Sequence, residues 1–246
     1  MTLSSKVKLR SRTRINVRRH DLHHESRFFK CVMKGRAEYN IVSGILLVGA
    51  GGHCRSCIEV IESRSDFHVC GIIGQKDEVG GSVFGYSVIG TDDDLGDLVK
   101  NYSRALVTIG QIKSSERRHQ LFGRLRSLHF ELPVVIAASA VVSKRSTIGP
   151  GTIVMHGATV NAGAIVGANC ILNTHSLIEH DANVGDHCHI STGAIVNGGA
   201  KVENHCFVGS GAVVYQGIVV GEQSIVGAGA LVFRNLIEHS KLRSER

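Results

Sequence analysis

Between Val142 and Val232 every sixth residue is Val, Ile or Leu: Val142, Ile148, Val154, Val160, Val166, Leu172, Ile178, Val184, Ile190, Val196, Val202, Val208, Val214, Val220, Val226 and Val232. A helix needs apolar positions every 3.6 residues and a plain strand every 2, and this run has neither period. A strict period of six predicts a parallel β-helix. Three six-residue faces then make an 18-residue coil, and aliphatic side chains stack inward from coil to coil. The sixteen positions predict five coils. Four places after each aliphatic a second series is small: Thr152, Ala158, Ala164, Cys170, Ser176, Ala182, Cys188, Ala194, Ala200, Cys206, Ala212, Ser224 and Ala230, interrupted by Ile218. Small side chains suit a chain that turns a corner every six residues. Coils in such a solenoid touch only their neighbours, so its ends need capping.

Upstream the pattern changes. Residues 45–49 form a short buried-strand pattern that runs into Ala50-Gly51-Gly52-His53, after which Ile58, Val60 and Ile61 fall on a helix. Val69–Ile73 and Ala105–Gly110 predict two more strands, the second followed by a polar helix from Ser114 to about Leu128. Strands alternating with helices predict a parallel α/β sheet. The organisation expected is a basic arm over 1–40, an α/β domain over 41–132, a β-helix over 133–233 and a polar tail over 234–246.

Composition fits a thin aliphatic core: the chain has no Trp, 5% aromatics and 29 Gly. The net charge of +7 invites a nucleic-acid reading until it is located. Residues 1–40 hold 11 Lys/Arg against 3 Asp/Glu, whereas the rest holds 17 against 18. The body therefore lacks the electrostatic footprint of a nucleic-acid binder. The Arg-rich, acid-poor arm fits a disordered segment, an organellar presequence, or sequence preceding a true start at Met33. No apolar stretch approaches the length of a membrane span, and the N-terminus has no secretory apolar region. An odd count of seven Cys fits reduced thiols, hence a cytoplasmic protein.

Cys170, Cys188 and Cys206 lie 18 apart and should stack as small fillers at equivalent corners. Cys54-Arg-Ser-Cys57 matches C-x-x-C without a thioredoxin-like context or a second pair. His175, His180, His187, His189 and His205 cluster on the β-helix, and His180 stands out in Ile178-Glu179-His180-Asp181. A histidine flanked by carboxylates is a candidate general base, since the neighbouring charge stabilises its imidazolium; a solvated surface histidine is the plain alternative.

Gly49-Ala50-Gly51-Gly52-His53, Thr108-Ile109-Gly110 and the hexapeptide run with Leu177-Ile178-Glu179-His180-Asp181 resemble the bacterial sugar acetyltransferases of the PglD/NeuD type. The resemblance spans residues 45–233. It implies a small Rossmann-like domain followed by a left-handed β-helix, and a homotrimer with acetyl-CoA between adjacent β-helices. His180 then looks like the catalytic base, with Asp181 raising its basicity. His189, Ser210 and Ala228 fall on acetyl-CoA-contacting positions, and Gly198 where a backbone N–H faces the thioester oxygen. Gly51, Gly52, His53 and Gly110 fall on the nucleotide-sugar site. No metal, nucleic acid or integral membrane segment is implied. The activity implied is N-acetylation of a UDP-4-amino-4,6-dideoxy sugar of the bacillosamine or legionaminic acid type; O-acetylation of a sialic or legionaminic acid is the alternative on this scaffold. Two departures from the family stand out. Gly74-Gln75 replaces the paired acids that follow the second strand, and no Gly-x-Pro-Ala-Lys-like segment ends the chain. Two remoter readings are a β-helix carbonic anhydrase, for which His175 and His180 lack a third histidine in register, and an inert solenoid tethered by its basic arm.

Overall fold

The computed structural model describes residues 43–243 other than 65 and 112, so the basic arm over 1–40 lies outside the described residues. The chain runs β1 (Ser43–Val48), α1 (Gly52–Glu62), β2 (Phe67–Ile73), β3 (Ser82–Val83), β4 (Tyr86–Gly90), α2 (Leu95–Leu98), β5 (Ala105–Val107) and α3 (Glu116–Ser127). These strands form one sheet in the order β3-β4-β2-β1-β5. β1 is buried on both faces, which explains its unbroken apolar run: Ile45 and Leu47 pack with Cys54, Cys57 and Ile58 of α1, while Leu46 and Val48 pack with Leu121 and Leu125 of α3. The sheet is mixed rather than wholly parallel, because β3 pairs antiparallel with β4. Their hairpin turns through Phe84 and Gly85, both at positive φ.

The C-x-x-C pair belongs to this core. Cys54 and Cys57 lie on the inner face of α1, fully buried, and burial pushes the Cys54 thiol up to about 11 and that of Cys57 higher still. Such thiols are packing groups rather than redox centres.

Downstream, the chain winds through three parallel sheets. Sheet I has seven strands, from Val135–Ile136 to Lys241–Leu242. Sheet II has six, from Val141–Val142 to Leu231–Val232, and sheet III five, from Thr147–Ile148 to Val219–Val220. Partners lie 18 residues apart, as Thr159 faces Leu177 and Ile165 faces Asn183. This is the left-handed β-helix of hexapeptide repeats. All sixteen aliphatics are the second residue of a two-residue strand; fourteen are buried, and Val142 and Ile148 at the start are half-buried. Cys170, Cys188 and Cys206 are free, buried fillers, each donating its thiol hydrogen to a carbonyl of the next coil, Gly185, Glu203 and Gly221 respectively.

The stack is longer than five coils. It begins at Val135–Ile136, one hexapeptide before the first expected position. Residues 234–243, expected as a polar tail, continue it: Leu236 bridges Val220 and Leu242 faces Val226, each sixteen residues on rather than eighteen. Two residues fewer in that turn shift the aliphatic slots to Leu236 and Leu242, which pack on the core, so the strict six-residue period ends at Val232 while the coil continues.

Sheet I carries the α/β part. Its outward Ile153 and Ile171 share a cluster with α1, and its outward His189 bonds to the loop after β5.

Candidate active site

A third six-residue register becomes visible in the backbone. Positions 151, 157, 163 and every sixth residue to 229 all have positive φ. Glycine holds eight of these fourteen corners; the others are Asn169, His175, Asp181, His187, His205 and Gln223, at φ between 53° and 61°. Apart from glycine, Asn, Asp and His tolerate the left-handed region best. Much of the histidine clustering along the β-helix is thus a backbone requirement.

Asp181 occupies such a corner, between Leu177–Ile178 of sheet II and Asn183–Val184 of sheet III. Its Oδ2 lies 3.0 Å from Nδ1 of His180. A carboxylate only accepts, so Nδ1 carries the hydrogen and Nε2 keeps a free lone pair. Glu179 Oε2 accepts from the His180 backbone N–H at 3.1 Å and from Asn161 Nδ2 at 2.9 Å, which holds the turn. The hydrogen bond to Asp181, with the charges of Asp181 and Glu179, raises the His180 pKa above the ordinary histidine value. The His180 side chain is 62% exposed, so Nε2 is open to a substrate.

Glycines make room for this pair. Gly198 follows His180 at the same corner one coil later, where a Cβ would lie 2.7 Å from Nε2 and 2.8 Å from Cε1. A Cβ at Gly163, one coil earlier, would collide with Asp181 Oδ1. The Gly198 N–H forms no hydrogen bond among the described residues, which leaves it available beside the imidazole.

The second group of predicted residues assembles at the carboxyl edge of the five-stranded sheet. β1 and β5 are neighbours whose following helices cover opposite faces, a topological switch point of the kind that binds nucleotides. Gly49, at φ 122°, lets the two loops touch: a Cβ there would lie 2.5 Å from Ile109 Cγ1. Thr108 Oγ1 donates to Gly49 O at 2.7 Å. Gly51 and Gly52 open α1 without a side-chain cap and with empty space beside them, so the first N–H groups of the helix face outward. His53 packs beside Gly110, its Nε2 is buried without a partner, and burial followed by the charge of Arg118 pushes its pKa down to about 3. Along the same edge an open cleft of about 890 Å³ lies beyond β2 and β4, lined by Gly74, Gln75, Lys76, Asp92, Arg117 and Arg124.

The remaining predicted residues lie elsewhere. His189 is 6% exposed: Nδ1–H donates to Gln111 O at 2.6 Å, and Nε2 accepts from Asn173 Nδ2 at 3.1 Å. Burial holds its pKa down to about 4, so it is a neutral joint between sheet I and the loop after β5. Ser210 and Ala228 stack, exposed, on the corner between sheets I and II, where Ser210 Oγ shares a hydrogen bond with Ser191 Oγ at 3.0 Å. One chain therefore unites His180, Asp181 and Gly198 in one place, Gly51, Gly52, His53 and Gly110 near His189 in a second, and Ser210 with Ala228 in a third.

Sequence reading missed Asn161, Gly163 and Arg118. Comparing positions 18 residues apart reveals the first two, since Asn161-Ala162-Gly163, Glu179-His180-Asp181 and Asn197-Gly198-Gly199 form one ladder. Arg118 looks like an ordinary polar helix residue and carries no sequence signal. Among the described residues, no group of three or more His, Cys, Asp or Glu is placed to hold a metal ion, and no helix is long and apolar enough to cross a membrane.

Residues 44–125 match the family model described as the PglD N-terminal domain, and residues 199–234 match that of the bacterial transferase hexapeptide, six repeats. Among solved structures, a His-to-Asn variant of perosamine N-acetyltransferase from Caulobacter crescentus, in complex with CoA and GDP-perosamine, is 32% identical with a TM-score of 0.77, covering 82% of this chain and 94% of that one. The acetyltransferase domain of PglB from Neisseria gonorrhoeae FA1090, in complex with acetyl coenzyme A, is 30% identical with a TM-score of 0.75, covering 81% and 95%. WeeI from Acinetobacter baumannii AYE shares the fold at 21% identity and a TM-score of 0.72, covering 81% and 96%. No match is found among curated proteins.

Proposed function

This chain belongs to the PglD-type sugar acetyltransferases of the hexapeptide-repeat superfamily, and from that premise we propose that it transfers acetyl from acetyl-CoA to the amino group of a nucleotide-linked 4-amino sugar. The observation that carries this reading is the Asp181–His180 pair beside the bare Gly198 corner.

In this mechanism the neutral amine attacks the thioester carbonyl. A C–N bond forms, and His180 Nε2 takes the proton leaving nitrogen. Asp181 stabilises the resulting imidazolium through Nδ1–H. The Gly198 N–H donates to the developing oxyanion. The C–S bond then breaks, and the CoA thiolate recovers the proton. Ser210 and Ala228 form an exposed corner that suits the CoA chain.

We further propose that the working unit is a homotrimer. The α/β part covers sheet I, whereas His180 lies on the opposite corner, between sheets II and III. A sugar held near His53 therefore meets the His180 of another copy. Sheet II supports this, because five of its six outward residues, Val141, Leu177, Ile195, Val213 and Leu231, are apolar, interrupted by Thr159, with Val141 63% and Leu231 52% exposed.

Gly74-Gln75 stands where the family carries paired acids, and solved relatives bind GDP-perosamine, so GDP joins UDP as a candidate nucleotide. The test offers GDP- and UDP-linked 4-amino sugars and a free nonulosonic acid with acetyl-CoA, and follows thiol release. Turnover of a nucleotide sugar supports the reading; turnover of the free acid alone replaces it with O-acetylation. His180→Ala should lower kcat by ~10²–10⁴-fold with folding intact, and near-wild-type turnover rejects His180 as the base.

A further inference from the structure

Arg118, in the first turn of α3, is 1% exposed. Its guanidinium donates to Val107 O at 3.2 Å, Ile109 O at 2.5 Å, Asn169 O at 3.1 Å and Asn169 Oδ1 at 2.9 Å. Every one of these acceptors is uncharged. Its Nε is buried without a partner, and no carboxylate pairs with it among the described residues. Burial pulls its pKa down only to about 10, so at neutral pH a full positive charge sits inside the protein without a counter-ion. Enclosing an unpaired ion is costly, and structures retain one where something offsets the cost.

Its surroundings point to an anion. Arg118 grips the carbonyls of Val107 and Ile109, just before Gly110. Its charge reaches His53, whose buried Nε2 also lacks a partner. Gly51 and Gly52 add the open, positive end of α1. Neither Gly49–His53 nor Thr108–Gln111 contains an acidic residue. Between these two loops the fixed charge, from Arg118 and the start of α1, has one sign, while Asp92, Asp93 and Asp94 line the cleft farther along the edge.

Resting on the nucleotide-sugar reading, we propose that Arg118 is a positioning residue for the substrate's diphosphate: it fixes the Ile109–Gly110 loop and supplies a buried positive charge behind the glycine end of α1. The sugar and base provide shape, and the diphosphate supplies the negative charge that no carboxylate among the described residues offers Arg118.

The test measures dissociation constants of GDP, UDP and their nucleosides for the full-length wild type, Arg118→Met and Arg118→Lys, with KM for nucleotide sugar and for acetyl-CoA. The preference for diphosphate over nucleoside should fall about tenfold in Arg118→Met and be retained in Arg118→Lys. Both variants should melt earlier, since both lose the fork to Asn169. KM for the nucleotide sugar should rise in Arg118→Met while that for acetyl-CoA stays put, a split that a merely structural residue does not produce. An unchanged diphosphate preference in folded Arg118→Met overturns the proposal. If that variant does not fold, the Nε–H resonance of Arg118 in the wild type decides: it should shift on adding GDP but not guanosine, and no shift overturns the proposal. A wild type that acetylates no nucleotide sugar overturns the functional reading instead, whatever the Arg118 variants do.

Discussion

Gly198→Ala and Gly199→Ala are adjacent single-methyl changes that the structure separates. At Gly198 the new Cβ would lie 2.7 Å from His180 Nε2, 2.8 Å from Cε1 and 3.3 Å from Cδ2. Carbon packs against such atoms at about 3.5–4.0 Å, so the ring must retreat by about 1 Å. His180 is exposed and can swing without disturbing the core. The backbone N–H survives, so the oxyanion donor is retained and the displaced base is the isolated variable. A misplacement of about 1 Å costs on the order of 10²-fold in rate. Gly199→Ala meets no atom within 4 Å, but its φ is 64°. A left-handed Ala costs about 1–2 kcal/mol, or a Tm lower by about 2–8 °C. The expected result is a crossed pattern: Gly198→Ala loses kcat with Tm unchanged, and Gly199→Ala loses Tm with kcat nearly unchanged. Steady-state thiol release and thermal melts measure the two. A fully active Gly198→Ala protein refutes the placement of His180 Nε2 at the reacting nitrogen.

Asp181→Asn removes the charge that raises the His180 pKa, so His180 titrates lower. Because the base acts unprotonated, the acid limb of the kcat/KM profile should move to lower pH as the plateau falls; an unmoved limb excludes Asp181 from this role. Val184→Asp places a carboxylate in a slot that is 1% exposed and costs several kcal/mol (~). Circular dichroism should find no cooperative melt, and a wild-type Tm rejects the register. His189 is held down to about 4, whereas an unfolded histidine titrates near about 6.5. Acidification therefore protonates the unfolded chain first, and stability present above about pH 6.5 declines by about 3 kcal/mol until pH reaches about 4. Urea unfolding of His189→Gln should have a correspondingly shallower acid slope, and an identical slope means the ring is not buried neutral.

The β-helix was legible because its core slot admits only aliphatics, so the period survives in a single sequence from Val142 to Val232. It faded at the end because a coil two residues short changes the phase, hiding Leu236 and Leu242. The α/β half was legible where a strand is buried on both faces, as in β1, and illegible at the β3–β4 hairpin, whose exposed two-residue strand leaves no apolar run. His180 and Asp181 were legible as neighbours in sequence. Gly163 and Gly198 were not recognised as their supports, because their role depends on contacts 18 residues away. Arg118 was illegible because its burial arises where α3, β5 and an Asn169 corner converge.

Sequence alone clusters several histidines on the β-helix and marks His180 by its carboxylate neighbours, and the structure separates these rings by physical state. His187 follows Asp186 in sequence, but its ring stacks on His205 at 4.9 Å and meets Phe122 edge-on. Its Nδ1 accepts from Asn169 Nδ2 at 2.9 Å, so it holds the opposite tautomer from His180. Burial and its histidine neighbours push its pKa down to about 4, which makes it a poor proton acceptor. His205 is tied through Nδ1 to Ser115 Oγ at 2.8 Å, and burial lowers it too. His189 spends both nitrogens on Gln111 and Asn173. These rings join α3 and the β5 loop to the solenoid. His180 differs in each respect: it is exposed, its Nδ1–H is held by a carboxylate, its pKa is raised, and the next coil keeps a glycine beside its free nitrogen. The same left-handed register that makes His187 and His205 corner residues also places Asp181 one residue after His180, so the backbone of the repeat positions the base and its partner together.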